Sequence, residues 1–315
     1  MWGSFFGGSS FDGPFPVSPD TAGNMFVTGY APNIGFPPVL NAYQGTSAGS
    51  IDAFILKFAP TGALIWSTYY GGINGDFGQS CATDAAGNIF VIGRTATPGT
   101  GFPTTVGAFQ TTNAGNNDLF ILKFSGAGVR LWATLYGGGG IDSGYSIKVD
   151  NSGNLYVTGL TYLRAPAFPT TAGAFQTAHG GGFYDVFLLK FNNAGVRQWA
   201  TLYGGGDQDY GQSCAVDPFG DVFVVGKTRD RGGSFPTTIG AFQTVRAGND
   251  DAFILKFSST GALLWSTLYG SGGDDRAFSC VADASGNVLV TGTANSGLPL
   301  LDPGGGAYFQ THGGN

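Results

Sequence analysis

One seven-residue stretch, Trp-x-Thr-x-Tyr-Gly-Gly in its fullest form, returns along the chain at nearly constant intervals. Copies start at Trp66, Trp132, Trp199 and Trp265, and a degraded copy starts at Trp2. These are all the tryptophans of the protein, spaced 64, 66, 67 and 66 residues apart. A fixed period of this length indicates a repeat architecture. The sequence therefore predicts one domain over residues 1–315, with repeats at about 2–65, 66–131, 132–198, 199–264 and 265–315.

The composition favours β-strands over helices. All 20 acidic residues are aspartate, glutamate is absent, and 56 of the 315 residues are glycine, so good helix formers are scarce. Hydrophobic residues make up 42% of the chain, enough for a packed core. The net charge of -6 offers no basic face for nucleic acid, and no apolar run is long enough to predict a membrane span. Met1 directly precedes the first repeat copy, so no signal peptide is expected in this chain.

Each repeat predicts four short β-strands, named a, b, c and d in chain order. An Asp-x-x-Gly-Asn turn joins strands a and b, as at 150–154, because Asp and Asn hydrogen-bond the local backbone and Gly supplies a positive φ. An insertion with the motif Phe-Pro-Thr-Thr-x-Gly-Ala-Phe-Gln-Thr follows strand b, as at 168–177. Strand c is apolar on both faces, as at 185–191, and strand d contains the tryptophan. Four antiparallel strands per repeat predict one blade of an all-β fold, the β-propeller.

Antiparallel connectivity decides which loops share an end of each blade. The a–b and c–d turns lie at one end. The b–c insertion and the d–a loop lie together at the other end, called the insertion-bearing end from here on. Because the insertions differ among otherwise repeated units, we expect binding specificity to reside there.

The five copies do not predict five complete blades. The strand-c motif occurs four times, at 52–58, 118–124, 185–191 and 251–257, and the chain ends just before a fifth. A strand d at Trp2 opens the chain, so an incomplete blade would be shared between the termini. Three alternatives stay open: a window on a longer array, which we favour, a gap filled by another chain, or an incomplete last blade.

Four linked motifs recur in the same order along the chain: Gly-Asn-x-(Phe/Tyr)-Val-x-Gly, Phe-Pro-Thr-Thr-x-Gly-Ala-Phe-Gln-Thr, Asp-Ala-Phe-Ile-Leu-Lys-Phe and Trp-Ser-Thr-Leu-Tyr-Gly-Gly. Together they resemble the SBBP (seven-bladed β-propeller) repeat over nearly all of residues 1–315. The resemblance implies a β-propeller in a secreted or cell-surface bacterial or archaeal protein, often as one module of a larger one. It implies no general catalytic residues, and its seven blades differ from the five copies present here.

The d–a loops contribute one aspartate per repeat at an equivalent position: Asp12, Asp76, Asp142, Asp209 and Asp275. A ring of such carboxylates at the insertion-bearing end would bind calcium, or accept hydrogen bonds from sugar hydroxyls. Asp207 and Asp274 add a second aspartate to two of these loops. These two residues, with Asp209 and Asp275, are therefore the weak candidates for metal ligands. In the alternative interpretation each aspartate accepts backbone N–H groups of its own glycine-rich loop. Its use in every repeat favours that structural role.

Basic residues lie in the insertions, where the repeats differ. Arg94, Arg164, Arg229 and Arg231 stand between strand b and the Phe-Pro motif, together with Lys227. Such a patch suits an anionic glycan or a protein partner. Ordinary solvated loop tips are the alternative.

Three recurring residue types are interpreted as structural. Cys81, Cys214 and Cys280 occupy a position that Val17 and Ile147 fill in other repeats, which predicts buried free thiols. The lysine of each strand c is expected to pack its stem between blades with its ammonium group near a carboxylate. The tryptophan of each strand d is expected to pack in the outer part of the blade.

Indications of catalysis are weak. The 2 histidines, at 179 and 312, lack metal-ligand spacing, and no Gly-x-Ser-x-Gly elbow with triad partners is present. We expect a non-catalytic extracellular or cell-surface module that binds a glycan or a protein, with self-assembly through the incomplete blade as a further expectation. Calcium is the one cofactor considered. The alternative function is a polysaccharide-active hydrolase or lyase that uses aspartates at the axial funnel.

Overall fold

The computed structural model describes residues 13–32, 41–99, 101–229, 232, 234–295 and 297–298. Every regular element in these ranges is a β-strand. The described ranges also contain no helix long and apolar enough to cross a membrane. The all-β prediction is confirmed.

Four sheets have four strands each, and the spatial order of the strands follows their order in the chain. The first sheet contains β1 (Gly13–Pro19), β2 (Met25–Pro32), β3 (Ile51–Phe58) and β4 (Leu64–Tyr70). The second contains β5 (Asp76–Thr83), β6 (Ile89–Thr95), β7 (Asp118–Phe124) and β8 (Arg130–Tyr136). The third contains β9 (Asp142–Val149), β10 (Leu155–Tyr162), β11 (Tyr184–Phe191) and β12 (Arg197–Tyr203). The fourth contains β13 (Asp209–Val216), β14 (Val222–Thr228), β15 (Asp251–Phe257) and β16 (Leu263–Tyr269).

A fifth sheet has two strands, β17 (Arg276–Ala282) and β18 (Val288–Thr293). They occupy positions a and b of a blade. The four complete sheets and this pair agree with the predicted four-stranded repeat. The copy that starts at Trp2 and the stretch 299–315 lie outside the described residues.

The strand register confirms which loops share an end of a sheet. Asp76 at the start of β5 pairs with Thr95 at the end of β6, and Thr95 pairs with Asp118 at the start of β7. At the same end of this sheet, Leu119 near the start of β7 pairs with Tyr136 at the end of β8. The d–a loop and the b–c insertion therefore meet at the insertion-bearing end of each sheet.

The internal contacts of the chain divide it into two compact units. One comprises Met1–Pro169 with Leu189–Ala200, and the other comprises Thr170–Leu188 with Thr201–Asn315. The division passes through β11 and β12. The prediction of a single domain, with its repeat boundaries, stays a prediction.

In the first unit, aromatic and aliphatic side chains of neighbouring sheets form a shared core. Trp66 of β4 stacks on Phe124 of β7 with ring centroids 6.2 Å apart. Its Nε1–H donates a 3.0 Å hydrogen bond to the carbonyl of Gly126. β7 is buried at every position, as its apolar pattern predicts. The tryptophan of strand d thus links one sheet to the c–d turn of the next.

In the second unit, Phe223 and Val225 of β14 pack with Ala252 of β15 against Ala277 and Cys280 of β17. All three cysteines of the chain are buried and free, which confirms the interpretation from sequence.

The lysine of strand c reaches the a–b turn of its own sheet. Lys57 Nζ lies 3.6 Å from Asp20 Oδ2, and Lys256 Nζ lies 2.9 Å from Asp217 Oδ2. The ammonium of Lys57 also lies 5.0 Å from the centroid of the Phe26 ring. The aspartate of each such turn accepts backbone N–H groups as well, as Asp20 does from Ala22 at 3.0 Å. The predicted carboxylate near the ammonium group is confirmed for Lys57, Lys123 and Lys256.

Candidate functional site at the insertion-bearing end

The aspartates of the d–a loops are buried beneath their own loops. Asp76 and Asp142 are 0% exposed in the first unit. Each accepts, at Oδ2, the N–H of the residue four positions earlier, at 2.7 Å in both cases. In the second unit Asp209 and Asp275 accept in the same way at 2.7 and 2.6 Å. Each carboxylate therefore closes the turn between one sheet and the next.

A second buried aspartate lies at the start of each strand c and is held by the recurring glutamine of the insertion motif within its repeat. Gln44 Nε2 donates to Asp52 Oδ2 at 2.7 Å, and its Oε1 accepts the N–H of Gly71 at 3.2 Å. The same two contacts recur at Gln110, Gln176 and Gln243. The glutamine thus ties the insertion to strands c and d of its sheet.

The first glycine of each Tyr-Gly-Gly stretch lies beside these two aspartates. A Cβ at Gly71 would come within 2.5 Å of Asp76 Oδ2 and 2.7 Å of Asp52 Cγ. Gly137 has the corresponding contacts with Asp142 and Asp118 at 2.6 and 2.8 Å. Only glycine leaves room for both carboxylates, because any side chain would collide with them.

Burial raises the pKa of several of these carboxyl groups, because charge is costly away from water. Burial raises the pKa of Asp76 and of Asp142 to about 7, and the neighbouring carboxylates Asp52 and Asp118 add to the effect in the same direction. Burial also raises the pKa of Asp118 to about 6 and that of Asp185 to about 7. Hydrogen bonds from the loop backbone oppose these shifts only in part.

The observed contacts agree with the structural interpretation of the loop aspartates. The described members Asp76, Asp142, Asp209 and Asp275 are at most 1% exposed, so a ligand would have to displace their loops to reach them. Ligand binding by these residues stays a prediction. Asp12 lies outside the described residues.

The four weak candidates for calcium ligands do not form a suitable donor set. Asp275 uses both oxygens within the protein, accepting from Ser271 at Oδ2 and from Asn295 N–H at Oδ1. Asp274 Oδ2 lies 3.2 Å from an Arg276 nitrogen, so its charge is already paired. Asp207 and Asp209 lie at a different loop, and Asp209 accepts from Gly205. The part of the chain that the structure describes holds no group of three or more His, Cys or Asp side chains able to share a metal ion.

The structure describes three of the four predicted arginines of the insertions. Arg94 is half-buried, with its guanidinium 4.9 Å from the centroid of the Phe77 ring. Arg164 is exposed after β10. Arg229 belongs to an ion network in the second unit, whereas Arg231 lies outside the described residues.

That network, called the basic cluster from here on, consists of Lys227, Arg229 and Arg276 around Asp250 and Asp274. Lys227 Nζ lies 2.9 Å from Asp250 Oδ2, and Arg229 Nε lies 2.7 Å from Asp250 Oδ1. Arg276 lies 2.9 Å from Asp250 Oδ2 and 3.2 Å from Asp274 Oδ2. Three cations thus face two carboxylates, which leaves one net positive charge.

The central carboxylate of the basic cluster is firmly ionised. The Asp250 side chain is 0% exposed, and its burial opposes ionisation. Hydrogen bonds from Arg229 and Lys227 outweigh that effect and hold the pKa of Asp250 at about 2. The Arg229 and Arg276 side chains remain 32% and 34% exposed. A negatively charged ligand can therefore approach the outer edges of both guanidinium groups.

Aromatic rings lie beside the basic cluster. The ammonium of Lys227 lies 4.7 Å from the centroid of the Tyr210 ring, and Tyr210 lies 5.4 Å from Tyr184, centroid to centroid. The backbone N–H of Arg229 donates to the carbonyl of Gln208 at 2.9 Å, which fixes the end of β14 against the d–a loop. Charged and aromatic side chains from β11, β13, β14 and β17 thus lie together in the second unit.

Sequence reasoning found Arg229 and Lys227 but missed Asp250 and Arg276. The indication was present in the repeats themselves. The position of Asp250 is held by Ile51, Asn117 and Tyr184 elsewhere, and that of Arg276 by Phe77, Ser143 and Tyr210. Asp250 and Arg276 form an opposite-charge pair that is present in only one of these repeats. Such a pair marks a local departure from the repeated pattern.

Comparison with known proteins supports the repeat assignment. The SBBP family, described as a beta-propeller repeat, matches residues 65–98, 131–162 and 198–230. Each match runs from strand d through the d–a loop into strands a and b of the following sheet. Three segments of the chain thus match the SBBP beta-propeller repeat. The loop aspartates Asp76, Asp142 and Asp209 and the glycines before them lie inside the three matched SBBP segments.

Two curated proteins resemble the chain. An uncharacterized WD repeat-containing protein, L264, of Acanthamoeba polyphaga mimivirus is 30% identical over 187 residues, which cover 56% of this chain and 13% of that protein. The regulatory protein FlaEY of Caulobacter vibrioides is 24% identical over 247 residues, which cover 77% of this chain and 24% of that protein. The chain therefore spans only a small part of the length of these relatives.

Two solved structures resemble the chain only distantly. A protein of unknown function from Dyadobacter fermentans has a TM-score of 0.45 at 13% identity, covering 89% of this chain and 74% of its own. BamB of Moraxella catarrhalis has a TM-score of 0.28 at 14% identity, covering 88% and 72%. Neither likeness bears on what the SBBP repeats bind.

Proposed function

We propose that the chain is a non-catalytic, extracellular or cell-surface binding module, and that the basic cluster binds an acidic glycan. The observation that supports this most directly is the exposure of Arg229 and Arg276 above a buried, ionised Asp250. The buried carboxylate holds both guanidinium groups in place, so little conformational entropy is lost when a ligand carboxylate or sulfate binds.

The neighbouring aromatic rings favour a glycan over a protein partner. Tyr210 lies next to Lys227 and contacts Tyr184, and an aromatic face beside basic groups suits an acidic sugar, whose ring packs on the aromatic while its anion pairs with arginine. An acidic protein surface would use the arginines without requiring these rings. The extracellular location is supported by the resemblance of the repeats, and fractionation of cells that produce the protein checks it.

Binding to an array of acidic and neutral polysaccharides tests the proposal. We expect saturable binding to uronate-containing or sulfated polymers that weakens as salt rises, because the contact is ionic and partly exposed. Arg229→Gln and Arg276→Gln should each weaken binding about tenfold or more. Lys148→Ala, which removes an exposed cation from β9, should have no effect. Equal binding to neutral polymers, or binding unchanged in both arginine variants, would contradict the proposal.

The same samples decide between binding and catalysis. Release of reducing sugars or unsaturated products, abolished by a single Asp→Asn substitution at position 76, 142, 209 or 275, would establish the polysaccharide-active alternative. Binding of acidic peptides but not of glycans would assign the basic cluster to a protein partner instead.

A further inference from the structure

Among the described residues, no strand c pairs with the outer edge of β18, whereas every other strand b has such a neighbour. In the four complete sheets a strand c pairs with this edge, whereas among the described residues the fifth sheet ends at β18. Leu289 and Val290 of β18 are 55% and 36% exposed, while the equivalent Phe223 and Val224 of β14 are at most 1% exposed. In the part of the chain that the structure describes, this edge therefore presents unpaired backbone groups and exposed apolar side chains.

A cavity of about 330 Å³ lies along this edge, within the second unit. Val288, Val290 and Gly292 form its wall on β18, and Ile254 and Tyr269 form its wall on the fourth sheet. Alternate residues of a strand face the same side. The cavity thus adjoins one face of β18.

The fourth sheet shows which side chains cover this face when strand c is present. Val222, Val224 and Gly226 of β14 are the equivalents of Val288, Val290 and Gly292. They pair, in that order, with Phe257, Leu255 and Phe253 of β15.

The first phenylalanine of strand c has room for its ring only because the paired residue of strand b is a glycine. A Cβ at Gly226 would come within 2.8 Å of Phe253 Cζ, and the corresponding distance in the second sheet is 2.5 Å, from Gly93 to Phe120 Cζ. Gly292 keeps this space open. At Gly292 the three atoms nearest to such a Cβ belong to the β17 backbone.

A tyrosine at the end of strand d forms the opposite wall in the complete sheets. Tyr203 lies 6.0 Å from Phe257, centroid to centroid, and Tyr70 lies 5.8 Å from Phe124. In both pairs the phenylalanine ends strand c of the following sheet. Tyr269 is the equivalent tyrosine of the fourth sheet, and it lines the cavity.

Charge complementarity adds a fourth recognition position to the three apolar positions of strand c. The lysine of strand c pairs with the aspartate of the a–b turn, as Lys123 does with Asp84 at 3.4 Å. Asp283 is the equivalent aspartate of the fifth sheet. Within the described ranges no ion pair joins Asp283 to a cation, and its hydrogen bonds come from residues of its own turn.

We propose that the β18 edge binds, as an added antiparallel strand, a segment with the pattern Asp-x-Phe-x-Leu-Lys-Phe from a further SBBP repeat. Its first phenylalanine lies on Gly292, its leucine beside Val290, and its last phenylalanine between Val288 and Tyr269. Its lysine pairs with Asp283. Backbone hydrogen bonds supply affinity, and the three apolar positions with the ion pair supply specificity. None of the four positions that carry this proposal belongs to the basic cluster, although Arg276 also lines the cavity.

A peptide with the sequence of residues 247–258 tests the proposal on the full chain. We expect saturable binding of the labelled peptide by fluorescence anisotropy, together with slower amide hydrogen exchange at 288–293. Replacing both peptide phenylalanines by alanine should weaken binding about tenfold or more. Replacing the peptide lysine by glutamate should weaken binding to the unmodified chain but have a smaller effect on Asp283→Asn.

Two chain variants locate the binding edge. Val290→Lys places a charge in the cavity and should abolish peptide binding. Val281→Lys, on the opposite face of the same two strands and 56% exposed, should leave binding unchanged. No binding at millimolar peptide, or equal binding to both variants, would overturn the proposal. A stable dimer of the unmodified chain that Val290→Lys converts to a monomer would assign the edge to a second copy instead.

Discussion

The first glycine after each strand d is required by the carboxylates around it. Gly71 and Gly137 leave room for two buried aspartates each, and the residue that follows donates its N–H to one of them. Glycine and aspartate are therefore mutually dependent in this motif. Its recurrence in every repeat reflects the geometry of the turn between sheets.

The raised pKa of Asp142 gives a test of this interpretation. The folded state raises the pKa from an ordinary value of 3.8 to about 7, so it favours the neutral form. The stability from this group is fully present below pH 4 and is lost as the pH rises through 7. Asp142→Asn imitates the neutral form at every pH. We expect it to stabilise the chain by roughly 2 kcal/mol at pH 8 and to make little difference at pH 4, measured by urea unfolding.

Asp84→Asn is the matched control because folding lowers the pKa of Asp84, whereas it raises that of Asp142. Although burial opposes ionisation, hydrogen bonds from Asn88 and the charge of Lys123 lower the pKa of Asp84. The stability that the Asp84 carboxylate contributes is fully present above the ordinary pKa of an aspartate and is lost as the pH falls. Asp84→Asn should therefore destabilise the chain at pH 8. Destabilisation by Asp142→Asn at that pH would show that the Asp142 carboxylate is needed in its charged form.

Neighbouring sheets are joined by the tyrosine at the end of strand d. The Tyr136 hydroxyl donates to the carbonyl of Pro169 in the next insertion and accepts from Arg197 at 3.2 Å. Its ring also lies 5.1 Å from Phe168, centroid to centroid. The Phe-Pro motif of an insertion thus packs against the preceding sheet as well as its own.

Removing this hydroxyl should weaken the contact between the two sheets. Tyr136→Phe keeps the ring but leaves the Pro169 carbonyl and the Arg197 donor with one partner fewer. We expect a loss of about 1 to 2 kcal/mol in the free energy of unfolding, seen as a melting temperature lower by a few degrees. Tyr43→Phe is the control, because that ring is 43% exposed and should cost little. Equal effects of the two variants would contradict the role given to Tyr136.

Across the molecule, burial is unevenly distributed over the sheets. β7 is buried at every position, whereas five of the six positions of β18 are exposed. Regions with few buried apolar contacts open with less free energy than the packed core.

Hydrogen exchange should follow this gradient. Amides of β6 and β7 should exchange at least about a hundredfold more slowly than those of β18 in the isolated chain. Mass-spectrometric hydrogen exchange at neutral pH measures both in one sample. Comparable protection of β18 without any added strand would show that its edge is already covered.

The period of the tryptophans, the turn residues and the doubly apolar strand c were enough to predict the four-stranded repeats and the end at which the loops meet. Local hydrogen-bonding preferences and the alternation of side chains determine these features, so sequence alone reveals them. The sequence did not decide whether the loop aspartates face solvent, because an Asp in a Gly-rich loop suits a ligand site and a buried turn equally well. Only the packing of Asp76 and Asp142 beneath their loops decided that. The basic cluster likewise depends on tertiary structure, since Lys227, Asp250 and Arg276 are distant in sequence and meet only where β14, β15 and β17 adjoin.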